Sequence, residues 1–398
     1  MSLDIPRPTY LQSVEPYIGK DLIKVFVGQR RVGKSSLMRL VQKRVLELNP
    51  KATIINIDLE NYDFSEIRTD KDLMDYIKLH QKKKNNVLFI DEIQEIENFE
   101  KVIRSLNASG QFDIYLTGSN ANLLSRELST LLAGRYIEID VYSLSYKEFL
   151  VFHKREANRS SLQEYMKFGG LPYLRHLDLK DEIVFDYLKN IMQSILYRDI
   201  VSRHNIRNTD LLDKMILFLA DNIGSLVSAK KISDTLNSNH IKTAPKTIQA
   251  MIAHLIEACF IHQVKRFEIK GRKIFESHDK YYFEDLGMRN ALMGIRANDI
   301  NQWMENVVYH HLKIRGNKVY VGRDQNREID FVAEKNGKFS YYQVAYALPN
   351  EKVIEREFGN LLKIPDQYPK VVLSLDEMVE GDIKGIPHVN LLDFLQEE

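Results

Sequence analysis

Cysteine is almost absent: Cys259 is the only one in 398 residues. That excludes an intramolecular disulfide framework and a cysteine-rich zinc site. Long hydrophobic runs are lacking as well, since no apolar stretch approaches the ~20 residues that span a bilayer. The first residues, Met1-Ser2-Leu3-Asp4-Ile5-Pro6-Arg7, carry no hydrophobic signal core. The expectation is a cytoplasmic protein with no membrane partner. Charge of one sign is missing too. Lys and Arg number 56 against 55 Asp and Glu, for a net charge of +1, so any basic surface has to be local. At 44% hydrophobic there is material for several cores, and the length suggests two or three domains.

What is present starts with Gly28-Gln29-Arg30-Arg31-Val32-Gly33-Lys34-Ser35, a complete G-x-x-x-x-G-K-[ST] phosphate-binding loop. The apolar run 22–27 before it reads as a buried strand. Helical spacing of apolar residues follows from Ser36 to Leu48, with Pro50 as a stop. The glycines let successive N–H groups curl around an anion, and the helix N-terminus adds its positive dipole end. Nucleotide contacts are expected from Gly28, Gln29, Arg30, Arg31, Val32, Gly33, Lys34, Ser35 and Ser36. Lys34 would reach the β- and γ-phosphates, and the Ser35 hydroxyl would bind Mg²⁺. Arg30 and Arg31 could touch phosphate, reach outward to another domain, or form surface ion pairs.

A second strand spans 52–58, and Thr69 caps a polar helix expected over 70–83. Asn86-Val87-Leu88-Phe89-Ile90-Asp91-Glu92 is a Walker B pattern, four apolar residues delivering two acids to a strand's C-terminal end. Asp91 is the candidate Mg²⁺ ligand, and Glu92 the candidate base that orients and deprotonates water. The strand 114–120 ends in small polar residues, so Thr117, Ser119 or Asn120 could contact the γ-phosphate or the water. Asn120 could equally cap a helix over 121–132. A fifth strand over 135–139 and the capping box Ser145-Tyr146-Lys147-Glu148 follow. Strands alternating with helices predict an α/β fold with a parallel, doubly wound sheet.

Phe168-Gly169-Gly170-Leu171-Pro172 reads as a boundary. A long helix is expected over 180–202 and more helix over 206–222. Helices over 229–236 and 245–259, then strands over 260–267 and 272–276 joined around Lys270-Gly271, make a winged helix-turn-helix. Its second helix and wing carry Lys242, Lys246, Lys265, Arg266, Lys270, Arg272 and Lys273. That basic patch is a candidate DNA contact; the alternative is a packing module with solvated lysines. In the last third, an amphipathic helix containing Glu305 precedes strands over 318–321, 328–333 and 338–345. Asn336-Gly337 marks a hairpin, and a helix over 351–362 and a strand over 370–375 complete an αβββαβ order. His310 and His311, adjacent on a helix, point in different directions and read as surface or core-edge residues rather than a metal pair.

The strings Gly-Gln-Arg-Arg-Val-Gly-Lys-Ser, Leu88-Phe89-Ile90-Asp91-Glu92-Ile93-Gln94, Leu116-Thr117-Gly118-Ser119-Asn120, Leu144-Ser145-Tyr146-Lys147-Glu148-Phe149 and Gly169-Gly170-Leu171-Pro172 together resemble a group of prokaryotic AAA+ superfamily ATPases. Their C-terminal half is a domain of unknown function, and the resemblance covers nearly the whole chain. It implies the sheet order 5-1-4-3-2, with Walker B on the third strand and sensor 1 on the fourth, and no particular substrate. Arg135 is then a candidate γ-phosphate-sensing arginine, in cis or as a finger from a neighbouring subunit, with a surface ion pair as the alternative. Hexamers are permitted, and the oligomeric state stays open.

The αβββαβ order resembles the PD-(D/E)xK restriction-endonuclease fold. The resemblance places Asp330 as first acid, with Glu328 on the same strand face. It puts Gln343 at the second acid position, Ala345 at the lysine position and Glu305 as a contributor from the helix. With two of three core groups missing, the site is expected to be inactive. The expected organisation is a P-loop ATPase domain over 1–168, a helical connector over 169–224, a winged helix over 225–296 and a small endonuclease-like α/β domain over 297–398. The function expected is Mg²⁺-dependent ATP hydrolysis that switches C-terminal domains binding DNA or a protein. The alternatives are a nucleotide-stabilised binding module with negligible turnover and an ATP-gated nuclease.

Overall fold

The computed structural model describes residues 5–119, 134–325, 327–376 and 381–397. The chain divides into two compact units, 1–142 with 257–259, and 143–256 with 260–398.

The first unit is built on β1 (Ile23–Val27), β2 (Thr53–Asp58), β3 (Asn86–Asp91), β4 (Phe112–Gly118) and β5 (Tyr136–Asp140). They pair in parallel in the order β2-β3-β4-β1-β5, the order the family resemblance implies. Strands β1 and β3 are buried at every position, which is why they read as unbroken apolar runs rather than alternating ones. Helices α1 (Pro8–Val14), α2 (Lys34–Leu48), α3 (Asp70–His80) and α4 (Phe99–Ser109) accompany the sheet. Thr69 and Asp72 form a reciprocal capping box at the start of α3, which stops at His80 rather than running to 83. Val25, Val27, Ile55, Leu88, Ile90, Ile114 and Leu116 meet Leu73, Ile77, Ile103 and Leu106 in one apolar core. Lys24 is a buried exception. Its ammonium pairs with Asp113 and donates to the Lys20 carbonyl at 3.1 Å, which is what makes a charge tolerable there. The helix expected over 121–132 lies outside the described residues.

The second unit opens with α5 (Tyr146–His153), started by the expected Ser145–Glu148 capping box, and α6 (Arg159–Phe168). Helix α7 (Asp181–Ser194) then runs into π-helical turns over Ile195–Ser202. The helix expected over 180–202 is therefore regular α-helix only in its first part. Next come α8 (Thr209–Asp221), α9 (Ala229–Ser238) and α10 (Pro245–Glu257). The mixed sheet contains β6 (Ile261–Glu268), β7 (Lys273–Phe283), β8 (Lys318–Asp324), β9 (Arg327–Lys335), β10 (Lys338–Val344), β11 (Lys370–Ser374), β12 (Asp382–Ile383) and β13 (Ile386–Asn390). Their order is β12-β13-β11-β10-β9-β8-β6-β7. Strand β7 joins the short strand expected over 272–276 to the apolar run at 281–283, across a polar stretch that carries no strand signal. Strand β6 pairs in parallel with β8, so one sheet runs across the boundary expected at 296/297. Asn336 and Gly337 both have positive φ (53° and 75°), as a tight β9–β10 hairpin requires.

Helices α11 (Leu286–Met293), α12 (Ile300–Ile314), α13 (Glu351–Leu362) and α14 (Leu391–Phe394) complete the unit. Residues 306–312 of α12 are all buried, so its faces are covered all round. His310 and His311 are both inside, which corrects the expectation of surface or core-edge positions. Nε2 of His310 lies 3.3 Å from Glu284 Oε2, and Nε2 of His262 lies 2.5 Å from the same oxygen. Burial alone would raise the Glu284 pKa; the two imidazoles outweigh it and hold it at about 2. At the start of α11, Asp285 accepts from Met288 N at 3.1 Å and Gly170 N at 2.7 Å. Gly287 lies flat against α6, where an added Cβ would come within 2.0 Å of the Phe168 carbonyl oxygen. Gly287→Ala is therefore expected to cost about 1–3 kcal/mol, because backbone must move to admit the methyl. Urea unfolding of the full chain checks this, and a wild-type midpoint would contradict the contact.

Candidate active site

Because β1, β3 and β4 run parallel, their C-terminal ends lie along one edge of the sheet. Phe26 pairs with Thr117, Val27 with Gly118, and Ile90 with Leu116. The phosphate loop leaves β1 there, Asp91 and Glu92 leave β3, and Thr117 to Ser119 leave β4. Gly28 passes so close to β5's exit that a Cβ would stand 2.0 Å from the Val141 carbonyl oxygen. Arg31 and Gly33 adopt positive φ (74° and 97°), which curls the loop into the first turn of α2.

Lys34 is buried and bends back over its own loop. Its Nζ donates to the carbonyls of Gly28 at 3.0 Å and Gln29 at 3.1 Å, and stands 3.6 Å from Glu92 Oε1. Thr117 links the two Walker B acids: its hydroxyl bonds Asp91 and accepts from the Glu92 backbone N–H at 2.9 Å. Gln94 donates to the Glu92 carboxylate and to Ser119 Oγ at 3.3 Å. Glu92 sits in the left-handed region (φ 57°), an uncommon conformation for a non-glycine residue and one concentrated at functional sites. Burial would raise its pKa, but the Lys34 and Arg30 charges outweigh that and hold it below the usual carboxylate range. Asp91 moves the other way: burial pushes it up, and hydrogen bonds from Ser35 and Thr117 offset this only in part. The Ser35 hydroxyl and the Asp91 carboxylate are neighbouring hard oxygen donors, the kind of set that suits Mg²⁺.

The structure thus brings Lys34, Ser35, Asp91, Glu92, Thr117 and Ser119 together. Arg30 is buried and paired with Glu60, whereas Arg31 is exposed. The Ser36 hydroxyl accepts from Arg39 at 2.9 Å in an exposed bond on α2. Arg135 is exposed and precedes β5, whose pairing sets Tyr136 beside Ile23 and Asp140 beside Val27. It stands at the opposite end of the sheet from the phosphate loop, roughly 16 Å away at ~3.3 Å per strand residue. The register does not bring it to the loop in cis, which leaves a site on a neighbouring subunit or a surface ion pair as its role. Asn120 lies outside the described residues. Sequence reasoning missed Arg7 and assigned no role to Gln94. The buried Arg7 guanidinium donates to Val32 O at 3.1 Å and Tyr142 O at 3.0 Å, and lies 4.4 Å from the Tyr10 ring. It fastens the phosphate loop to the chain leaving β5, a long-range link with no local sequence pattern.

A second cluster lies within the C-terminal sheet. Glu305, Glu328 and Asp330 converge around a lysine from β7. Lys280 Nζ is 3.0 Å from Glu305, 2.9 Å from Glu328 and 3.8 Å from Asp330, and Tyr282 donates to Glu305 at 2.7 Å. Burial disfavours the ammonium, yet the three carboxylates raise its pKa above the ordinary value. Burial and Glu305 push Asp330 well up, with Lys280 opposing. Asp330 also accepts from Val344 N at 2.8 Å, and Gln343 Oε1 faces the Asp330 N–H at 3.4 Å. Ala345 packs in the apolar core. Of the basic residues on α10 and the hairpin, Lys246, Lys265, Lys270, Arg272 and Lys273 are exposed, as is Lys242 before α10.

A family model for an AAA domain matches residues 20–150, and one for a domain of unknown function (DUF8612) matches residues 159–299. An uncharacterized protein of Haemophilus influenzae is 37% identical over 404 residues, spanning 98% of this chain and 98% of the relative. An uncharacterized protein of Methanocaldococcus jannaschii is 33% identical over 382 residues, 90% of this chain and 83% of the relative. Among solved structures, the Walker-type ATPase PABY2304 of Pyrococcus abyssi superposes with a TM-score of 0.51 at 17% identity, covering 72% of this chain and 95% of that one. That last likeness speaks to the fold alone. With relatives this similar along most of their length, and an AAA domain matched around the phosphate loop, the chain belongs to a family of AAA-domain proteins in which that domain is followed by one of unknown function.

Proposed function

We propose that the protein is a Mg²⁺-dependent ATPase whose nucleotide state switches a C-terminal region that binds nucleic acid or a protein. One observation carries this reading: Lys34, Ser35, Asp91, Glu92 and Thr117 meet at a single sheet edge. Two neutral carbonyls and the Glu92 carboxylate hold the Lys34 ammonium, and a triphosphate would bring more negative charge to it than they do. Mg²⁺, when bound, would neutralise charge on the phosphate oxygens. Ser35 and Asp91 would hold it. Glu92, kept ionised by Lys34 and Arg30, is in the right protonation state to take a proton from water. Thr117 fixes both acids and accounts for the sensor position on β4, while Gln94 and Ser119 orient the Glu92 carboxylate.

Beyond the AAA domain, α9, α10 and the β6–β7 hairpin have the order of a winged helix. Helix α12, strands β8 to β10, helix α13 and strand β11 have the order of a restriction-endonuclease-like fold. We assign this region to binding rather than cleavage. Lys280 stands among Glu305, Glu328 and Asp330 where an active site would keep a metal, and Gln343 and Ala345 replace the remaining acid and lysine. A nuclease reading would need Lys280 to leave three carboxylates at once.

Lys34→Ala should abolish or severely weaken ATP binding, as the loop loses its fixed cation; calorimetry showing an unchanged Kd would contradict this. Glu92→Gln should bind ATP while turnover falls at least about 100-fold, the range for losing a positioned base. Near-wild-type turnover would assign the water to another group, and wild-type protein that binds ATP without hydrolysing it would favour the passive-module alternative. Lys280→Met should cost about 3–5 kcal/mol at neutral pH, because it leaves the largely buried Glu305 and Asp330 carboxylates without their cation. Burial and the Glu305 charge already push the Asp330 carboxyl up, so the deficit shrinks as falling pH protonates it. Denaturant unfolding at pH 5 and pH 8 measures both; a deficit that is flat or grows toward acid would contradict the cluster's role.

A further inference from the structure

Three arginines from three adjacent strands surround one cavity of the second unit. Arg266 comes from β6, Arg323 from β8 and Arg327 from β9. With Leu226, Gly322 and Glu328 they line a space of about 250 Å³. At ~30 Å³ per water this is room for roughly eight waters, or for a phosphate with part of an attached sugar. The register brings two of the three together. Arg266 pairs with Val321, two residues before Arg323, and Arg323 pairs with Glu328, so Arg266, Arg323 and Glu328 share a sheet face.

The guanidinium groups are only partly used within the protein. The Arg266 guanidinium makes no hydrogen bond or ion pair among the described residues, though its charge is felt by Asp279. Arg323 donates from Nε to the Gln325 carbonyl at 2.7 Å and lies 5.8 Å from the Phe275 ring, neither of which neutralises it. Arg327 pairs through one terminal nitrogen with Asp324 at 2.6 Å, and its buried Nε–H has no hydrogen-bond partner. Among the described residues lining the cavity, the carboxylate is Glu328, which is held by Lys280 at 2.9 Å. Positive charge therefore exceeds negative charge here, in a protein whose overall net charge is only +1. Planar guanidinium forks match phosphate oxygens in geometry as well as charge.

We propose that this cavity is a phosphate-binding site and that its ligand is a backbone phosphodiester of nucleic acid, seated beside the lysine-filled carboxylate cluster. The proposal rests on the reading of the C-terminal region as a binding module, and it requires no cleavage. A free phosphate or pyrophosphate presents the same chemistry, so the test separates the two sources.

The experiment uses the full chain without nucleotide, as wild type, Arg266→Gln, Arg323→Gln and a charge-matched control, Lys352→Gln. Binding of a labelled single-stranded and a labelled double-stranded oligonucleotide is followed by anisotropy across a salt series. Thermal shifts are recorded with inorganic pyrophosphate. The phosphate loop is common to all four proteins, so its contribution cancels. The expected result is that each arginine variant, and not the control, weakens oligonucleotide binding at least about fivefold and lowers the salt slope by about one. A pyrophosphate stabilisation lost in both arginine variants, with no oligonucleotide binding in wild type, would keep the site, assign it to free phosphate and remove nucleic acid from the proposed function. Tight oligonucleotide binding unchanged in both variants would overturn the site while leaving nucleic-acid binding intact. A wild type that responds to neither probe would overturn both.

Discussion

In the AAA domain the parallel register sets everything that can happen at the nucleotide site. With β4 between β1 and β3, Thr117 lies beside Phe26 on one side and next to the Walker B strand on the other. Its hydroxyl bonds the Asp91 side chain and the Glu92 backbone at once. A shift of one residue would turn that hydroxyl to the other face of the sheet and part the two acids from the loop. The apolar strands beneath supply the rigidity: β1 and β3 are buried along their whole length. Small displacements of catalytic groups cost large factors in rate, so this packing belongs to the chemistry as much as to stability.

Two buried lysines illustrate how differently one charge can be used. Lys34 is held by two carbonyl oxygens and a carboxylate at 3.6 Å, contacts that a more negative ligand would replace. Lys280 is surrounded by Glu305, Glu328 and Asp330, a negative cage that no anion would relieve and that a cation could enter only by displacing the ammonium. The first arrangement is poised for a ligand. The second is closed on itself, and the arginine-lined cavity beside it is where the C-terminal region presents uncommitted positive charge.

Local chemistry was legible in the sequence wherever neighbours in the chain are neighbours in space. The phosphate loop, the Walker B acids, the capping boxes at Thr69 and Ser145 and the Asn336-Gly337 turn all fall in this class. What escaped was long-range. Arg7 reaches Val32 and Tyr142 across most of the domain's sequence. Lys280 lies in a polar stretch of β7 with nothing to mark it as the partner of Glu305 and Asp330. Arg135 stood as a sensor candidate beside a surface ion pair, and the chain enters β5 from the far end of the sheet. The histidines of α12 were misjudged because periodicity assumes a helix with one wet face, and this one is covered on all sides.

The proposed coupling of nucleotide chemistry at the sheet edge to ligand binding by the C-terminal region is open to direct measurement. Steady-state ATP hydrolysis by the full chain, measured with Mg²⁺ and with EDTA, in the presence and absence of an oligonucleotide, tests it most directly. Turnover is expected to need Mg²⁺ and to change rate when the oligonucleotide is added. ATP that binds and stays intact under every condition would contradict the assignment of Glu92, and Mg²⁺-dependent turnover wholly indifferent to the oligonucleotide would contradict its coupling to nucleic-acid binding.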